Sequence, residues 1–149
     1  MGSGARGDGP ARRLRVLVAD RHPNVRAALR ADLEDGGFDV CAEAGTGEEA
    51  VAATHRERPD VCLVDAGLGG LALLVGRMTA ESPAPRVVVT AVTRDEDDLV
   101  AAFRAGAAGY LPKDVRARRL RDALAAVAAG ATMLPPTLAP RVLGTSDAR

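Results

Sequence analysis

A chain of 149 residues is long enough to form one domain that buries a core without disulfides or structural metals. Hydrophobic residues make up 47% and aromatic residues only 2%, which excludes disorder along the whole chain and predicts an aliphatic core. Basic and acidic residues balance at 20 each, so the chain lacks the basic excess that is typical of a free-standing nucleic-acid binder.

Three segments are predicted along the chain. Residues 1–13 are Gly-rich and lack the apolar core of a signal peptide, so we expect a disordered lead-in or a cloning remnant. Residues 14–134 carry the domain, and the prolines in residues 135–149 indicate a linker toward an output domain outside this chain. No apolar run reaches the ~18 residues of a membrane helix, and we expect a cytoplasmic protein. The two cysteines, Cys41 and Cys62, lie in apolar runs and are expected to be buried and reduced.

Five short apolar segments are predicted to be β-strands. The first, third and fourth are rich in β-branched residues and nearly continuous, which is typical of strands that are buried on both faces. The predicted strands are residues 14–19, 38–43, 61–65, 87–90 and 109–111.

A helix is predicted after each strand. Pro23 suits a first helical turn, Thr46 and Glu49 have the spacing of a capping box, and the acidic residues 95–98 favour a helix start. The predicted helices are residues 23–35, 46–56, 71–78, 95–105 and 115–130.

Strands that alternate with helices predict an α/β protein with a parallel sheet covered on both faces. Five such units favour a flavodoxin-like, doubly wound (βα)5 fold with the strand order 2-1-3-4-5. In that order, ligands bind outside the carboxyl ends of the strands, where the chain changes direction between the first and third strands.

Polar residues follow four of the predicted strands. Asp20, Asp65, Thr90 and Lys113 each stand at a strand end, so we expect two carboxylates, a hydroxyl and an ammonium group to meet at one edge of the sheet. This set suits phosphoryl transfer onto a carboxylate, with Asp65 as the nucleophile and Thr90 and Lys113 holding the phosphoryl oxygens.

Three motifs resemble the receiver domains of bacterial response regulators, especially those joined to a LuxR- or NarL-type output domain. They are LVADRHPNVR at residues 17–26, RPDVCLVD at residues 58–65 and AGAAGYLPK at residues 105–113. The resemblance implies that Asp65 is the phosphoacceptor, that Thr90 and Tyr110 are switch residues, and that Lys113 is the family's lysine. It also implies a Mg²⁺ site formed by Asp20, Asp65 and the backbone carbonyl of Gly67.

The same resemblance implies partners rather than an enzymatic activity. We expect a sensor histidine kinase as phosphodonor, a homodimer, and contact with DNA only through an output domain that residues 1–149 do not contain. No interaction with a membrane is expected.

Two departures from the family pattern affect the pocket. Arg21 stands where the second metal-binding acid is usual, and residues 66–71 are about three residues short and lack the usual proline. A cation beside a dication site weakens Mg²⁺ binding, so Mg²⁺ is expected to bind poorly if at all. Arg21 either pairs with Asp20 or Asp65 or extends into solvent. Both departures favour signalling that does not depend on phosphorylation.

Two alternative functions remain open from the sequence. One is a small metal-dependent phosphohydrolase with Asp65 as nucleophile, although no general acid or second acidic cluster is evident. The other is a dimerisation module that uses the apolar face of the last helix. His22 and His55 have no metal-binding partners at useful spacing and are expected to be surface residues.

Overall fold

The computed structural model describes residues 12–144 as an α/β protein with five parallel strands in the order β2-β1-β3-β4-β5. The fold class and the strand order predicted from the sequence are therefore confirmed. The strands are β1 (Arg15–Ala19), β2 (Asp39–Ala44), β3 (Val61–Asp65), β4 (Arg86–Ala91) and β5 (Gly109–Pro112). The main helices are α1 (Pro23–Asp35), α2 (Gly47–Glu57), α3 (Leu71–Thr79), α4 (Glu96–Ala105) and α5 (Ala117–Ala128).

Two aliphatic clusters cover the two faces of the sheet. Alternate strand residues point to opposite faces, so Leu17 and Val64 pack with α2, α3 and α4, whereas Val18 and Leu63 pack with α1 and α5. This continuous burial on both faces explains why the central strands read as uninterrupted apolar runs.

The helix ends follow the local signals in the sequence. The hydroxyl of Thr46 accepts a hydrogen bond from the backbone N–H of Glu49 at 3.1 Å, while the Glu49 carboxylate accepts one from the Gly45 N–H at 2.7 Å. Asp95 caps α4 in the same way, accepting from the Asp98 N–H at 3.1 Å. These caps satisfy backbone donors that the first helical turn leaves without partners.

The cysteines lie away from the sheet edge that carries the polar strand ends. Cys62 is buried in β3, where desolvation raises the pKa of its thiol to about 12, and Cys41 is half-buried. Both are free thiols, and burial keeps Cys62 in the unreactive protonated form.

The chain continues past α5 in an ordered segment, which includes the described part of the predicted linker. Residues 132–134 run along β5, where the Tyr110 N–H donates to the Met133 carbonyl at 3.2 Å. A 3-10 turn (Pro136–Leu138) and a short helix, α6 (Ala139–Leu143), then pack against α4, with Leu138 fully buried. Most of the predicted lead-in, residues 1–11, lies outside the described residues.

No helix between residues 12 and 144 is both long enough and apolar enough to span a bilayer.

Candidate functional site

The carboxyl ends of β1 and β3 place two buried carboxylates side by side. Asp20 follows β1 directly and is 1% exposed, and Asp65 ends β3 and is 4% exposed. Their strands are neighbours in the parallel sheet, so both chains end at the same edge. Two carboxylates buried this close together need compensating positive charge.

Lys113 supplies that charge from the turn after β5. Its ammonium group pairs with Oδ2 of Asp20 and lies 3.3 Å from Oδ1 of Asp65. Burial by itself raises the pKa of Asp20, but hydrogen bonds from Lys113 and from the His22 N–H outweigh burial and hold the pKa below its ordinary value. Asp20 is therefore an anion, locked to Lys113, at neutral pH.

The two oxygens of Asp65 have different surroundings. Oδ1 faces Lys113 and accepts a hydrogen bond from the Gly67 N–H at 3.0 Å. None of the residues described from 12 to 144 donates a hydrogen bond to Oδ2, which lies 3.1 Å from the point where a Cβ atom at Gly67 would stand. One oxygen thus accepts a hydrogen bond, whereas the other has no donor among the described residues.

The shortened loop after β3 depends on glycine conformations. Residues Ala66–Leu68 form a single 3-10 turn, and Gly69 and Gly70 follow with φ angles of 86° and 58°. Such positive φ values cost little only for glycine, so the two glycines let the chain enter α3 without the residues that the family pattern would supply. The loop keeps the Gly67 N–H on Asp65 despite its shortness.

Arg21 lies at the mouth of the site. It is exposed and forms no ion pair with Asp20 or Asp65, although all three residues are described. A Cβ atom added at Gly67 would stand 3.2 Å from a guanidinium nitrogen of Arg21 and 3.1 Å from Oδ2 of Asp65. Of the two positions expected for Arg21, pairing with a carboxylate is not adopted; the side chain is exposed, and its guanidinium lies beside Gly67.

His22 is closer to the site than its sequence suggests. A ring nitrogen of His22 lies 3.3 Å from Oδ1 of Asp20, and ligand atoms of His22, Asp20 and Asp65 all lie within 4.8 Å of one another. The prediction that His22 has no partner capable of metal binding is therefore wrong. Its position two residues after a strand-end acid was the available signal, but the direction of its ring depends on the turn into α1.

The two predicted switch residues lie on adjacent strands. Thr90 is directly opposite Asp65 in the β3–β4 register and is buried, so it lies next to the carboxylate as expected. Tyr110 is opposite Val89 in β5 and is half-buried against the cluster that contains α4. The structure therefore brings Thr90 to the site, whereas Tyr110 lies in β5 beside the segment that follows α5.

A pocket of about 350 Å³ opens above Asp65, between the β1–α1 turn and α4. Arg21, Lys113 and Gly67 line it, together with Asp95 and Asp98 from the start of α4. In the sequence these two acids indicated only a helix start, and packing of α4 against α3 brings them to the pocket. The pocket is therefore lined by both cationic and acidic side chains.

Comparison with known proteins agrees with this geometry. Residues 16–125 match the family model described as the response regulator receiver domain. The chain belongs to the response-regulator receiver family. This receiver is 33% identical over 129 residues to the nitrate/nitrite response regulator NarL of Escherichia coli, covering 84% of this chain and 59% of that protein. It is 32% identical over 133 residues to the transcriptional regulatory protein LiaR of Bacillus subtilis, covering 87% of this chain and 63% of that protein.

A solved receiver has the same fold. The signal receiver domain of the response regulator NarL from Mycobacterium tuberculosis aligns with a TM-score of 0.74 at 28% identity, over 79% of this chain and 98% of that chain. The present receiver spans about three fifths of the length of the curated relatives that it matches.

The receiver's donor set fits a magnesium ion poorly. Mg²⁺ prefers several oxygen ligands in octahedral geometry, usually with more than one carboxylate free to bind. Here the Asp20 carboxylate is engaged by Lys113, an arginine replaces the second acid, and the third nearby donor, His22, offers nitrogen. Gly67 contacts Asp65 through its backbone N–H rather than through its carbonyl.

Proposed function

We propose that this receiver is the regulatory module of a bacterial transcription regulator and that Asp65 is its phosphoacceptor. The observation that carries the proposal is that Asp65 lines the pocket and that its Oδ2 accepts no hydrogen bond from the described residues, whereas Oδ1 contacts Gly67 and Lys113. A nucleophilic carboxylate needs one unencumbered oxygen and a nearby cation to stabilise the incoming phosphoryl group. The names of the relatives, which include a transcriptional regulatory protein, support the regulatory role.

The metal site is part of the proposal in a weakened form. Asp20, Asp65 and the Gly67 carbonyl are the positions that would hold Mg²⁺, which would supply positive charge to a phosphoryl group there. Lys113 and Arg21 already provide positive charge at this place, so we expect low affinity for Mg²⁺. The sequence favoured signalling without phosphorylation, but the free oxygen of Asp65 supports a receiver that can still be phosphorylated.

The partners follow from the same role. We propose a sensor histidine kinase as the phosphodonor, a homodimer as the active assembly, a cytoplasmic location, and contact with DNA through an output domain. The relatives are longer than this chain, which leaves room for such a domain in the whole protein. We do not propose an enzyme, because a receiver retains the phosphoryl group instead of turning over phosphate esters.

Phosphorylation of the purified chain by acetyl phosphate with excess Mg²⁺ tests the proposal. We expect intact-mass spectrometry to show the gain of one phosphoryl group, and peptide mapping to place it on Asp65. The Asp65→Asn variant should gain none, whereas Asp35→Asn, which changes an exposed aspartate on α1, should behave like the wild type. Labelling of Asp65→Asn to the wild-type level would contradict the assignment, and steady hydrolysis of a generic phosphate ester would favour the phosphohydrolase.

A further inference from the structure

The Arg21 guanidinium and Oδ2 of Asp65 both lie close to Gly67 without pairing with each other. The missing side chain at Gly67 leaves the space that both groups approach, since a Cβ there would stand 3.1 Å from Oδ2 and 3.2 Å from the guanidinium. None of the residues described from 12 to 144 pairs with Arg21 through an ion pair or a side-chain hydrogen bond. The guanidinium is therefore available for an anion attached to Oδ2.

The four charged groups around Gly67 and the ends of β1 and β3 balance one another without a metal, while Asp95 and Asp98 line the pocket from α4. Asp20 and Asp65 contribute two negative charges, and Lys113 and Arg21 contribute two positive charges. A dication entering this neutral set gains little Coulomb energy and must compete with Lys113 for Asp20. A phosphoryl group on Asp65 changes the balance, because the single negative charge of the carboxylate is replaced by about two on the phosphoryl oxygens.

Arginine is suited to that extra charge. Its planar guanidinium presents paired N–H donors that match two phosphoryl oxygens, and charge-assisted hydrogen bonds of this kind are among the strongest in proteins. Lys113 lies 3.3 Å from Oδ1 of Asp65, and the Arg21 guanidinium and Oδ2 of Asp65 both approach the space left open at Gly67, so both cations lie near the carboxylate. A phosphoryl group bonded to Oδ2 would lie next to Arg21.

We propose that Arg21 replaces the divalent cation, so that Asp65 accepts and holds a phosphoryl group from a small acyl phosphate without any metal ion. This inference rests on the proposed function of Asp65. In the transfer from acetyl phosphate, Oδ2 forms a bond to phosphorus, the bond between phosphorus and the acetyl oxygen breaks, and the electron pair leaves with acetate. Arg21 positions the phosphoryl oxygens, and it supplies the positive charge that a divalent cation would otherwise bring to this pocket.

Metal-free phosphorylation of the chain tests the inference. The wild type is treated with a chelator, incubated with acetyl phosphate, and followed by intact-mass spectrometry with and without added Mg²⁺. We expect the rate of labelling to change less than about twofold between the two conditions. Arg21→Ala should lower the metal-free rate by about ten- to a hundredfold, as expected for loss of a charge-assisted hydrogen bond. Arg118→Ala, which removes an exposed arginine from α5, is the matched control and should have no effect.

The variant Arg21→Asp separates this inference from the proposed function. It restores an acid beside Asp20 and should be labelled only when Mg²⁺ is added. Labelling of the wild type only with Mg²⁺, or metal-free labelling of Arg21→Ala at the wild-type rate, would overturn the inference while leaving Asp65 as the phosphoacceptor. If wild type and Arg21→Asp remain unlabelled under both conditions, with circular dichroism showing intact folds, the proposed function itself fails.

Discussion

At the residue scale, Asp20 is stabilised as an anion in a place where burial alone would favour the neutral acid. Its side chain is almost inaccessible, and it is held by the Lys113 ammonium group and by the N–H of His22. A carboxylate in this position contributes to folding only while it is ionised. Asp20 therefore links the stability of the fold to the charge balance of the pocket.

The variant Asp20→Asn should reveal this link through the pH dependence of unfolding. The folded pKa lies below the ordinary value of 3.8, so the contribution of Asp20 is present above about pH 3.8 and is lost as the pH falls through the folded pKa. We expect Asp20→Asn to lower the free energy of unfolding by about 1–3 kcal/mol at pH 7. The difference from wild type should shrink as the pH falls below 3.8, as measured by urea denaturation at neutral and at acidic pH.

The same titrations with Asp35→Asn provide the control, because that aspartate is exposed on α1. Its difference from wild type should be small at both pH values. A difference for Asp20→Asn that grows as the pH falls would contradict the assignment.

At the scale of elements, α4 connects the phosphoacceptor pocket with the segment that follows α5. Its first turn lines the pocket through Asp95 and Asp98, and its outer side receives α6. The Arg104 guanidinium donates to the Arg141 carbonyl at 2.7 Å, and Arg141 pairs with Asp97 at 2.7 Å. Any movement of α4 on phosphorylation would therefore also displace the segment that leads out of the domain.

Leu138 should anchor that segment. It is 0% exposed and packs in the same cluster as Leu99 and Phe103 of α4. We expect Leu138→Ala to lower the free energy of unfolding by about 2–5 kcal/mol, because it removes a buried side chain and leaves a cavity. Amide exchange should also become faster in residues 136–143 and along α4.

Leu143→Ala is the matched control for this experiment. Leu143 belongs to the same short helix but is 69% exposed, so its truncation should change the unfolding free energy by less than about 0.5 kcal/mol. Equal effects of the two variants would show that the segment is not docked on α4 in solution.

At the scale of the whole molecule, the net charge limits how tightly the chain by itself can bind nucleic acid. The net charge is zero, and most arginines of the described residues form ion pairs or hydrogen bonds within the fold. A basic group at the start of α5, Arg116, Arg118 and Arg119, lines a shallow depression, with Asp122 beside it. Affinity for nucleic acid depends mainly on how many phosphates a basic surface neutralises, and this group is small.

We therefore expect residues 1–149 to bind duplex DNA no more tightly than about 100 µM at physiological salt. Fluorescence anisotropy with labelled duplexes measures this directly. Saturable binding in the low micromolar range would contradict the expectation, and its loss in the double variant Arg118→Ala, Arg119→Ala would locate the binding surface on α5.

The repeated alternation of apolar runs and capped helices made the architecture predictable from the sequence. A buried parallel strand must be apolar on both sides, and a helix must end its backbone with a cap or a glycine, so both leave local signals in the sequence. The convergence of Asp20, Asp65 and Lys113 was predictable for a related reason, since parallel strands end at a common edge.

Packing decided the features that separate this receiver from the pattern it resembles. The position of Arg21 over Gly67, the free Oδ2 of Asp65 and the approach of His22 to both acids depend on side-chain torsions in the β1–α1 and β3–α3 turns. The docking of Leu138 on α4 likewise joins residues far apart in the chain. Local sequence signals do not encode such distances, because they arise from the way helices and turns pack around the sheet.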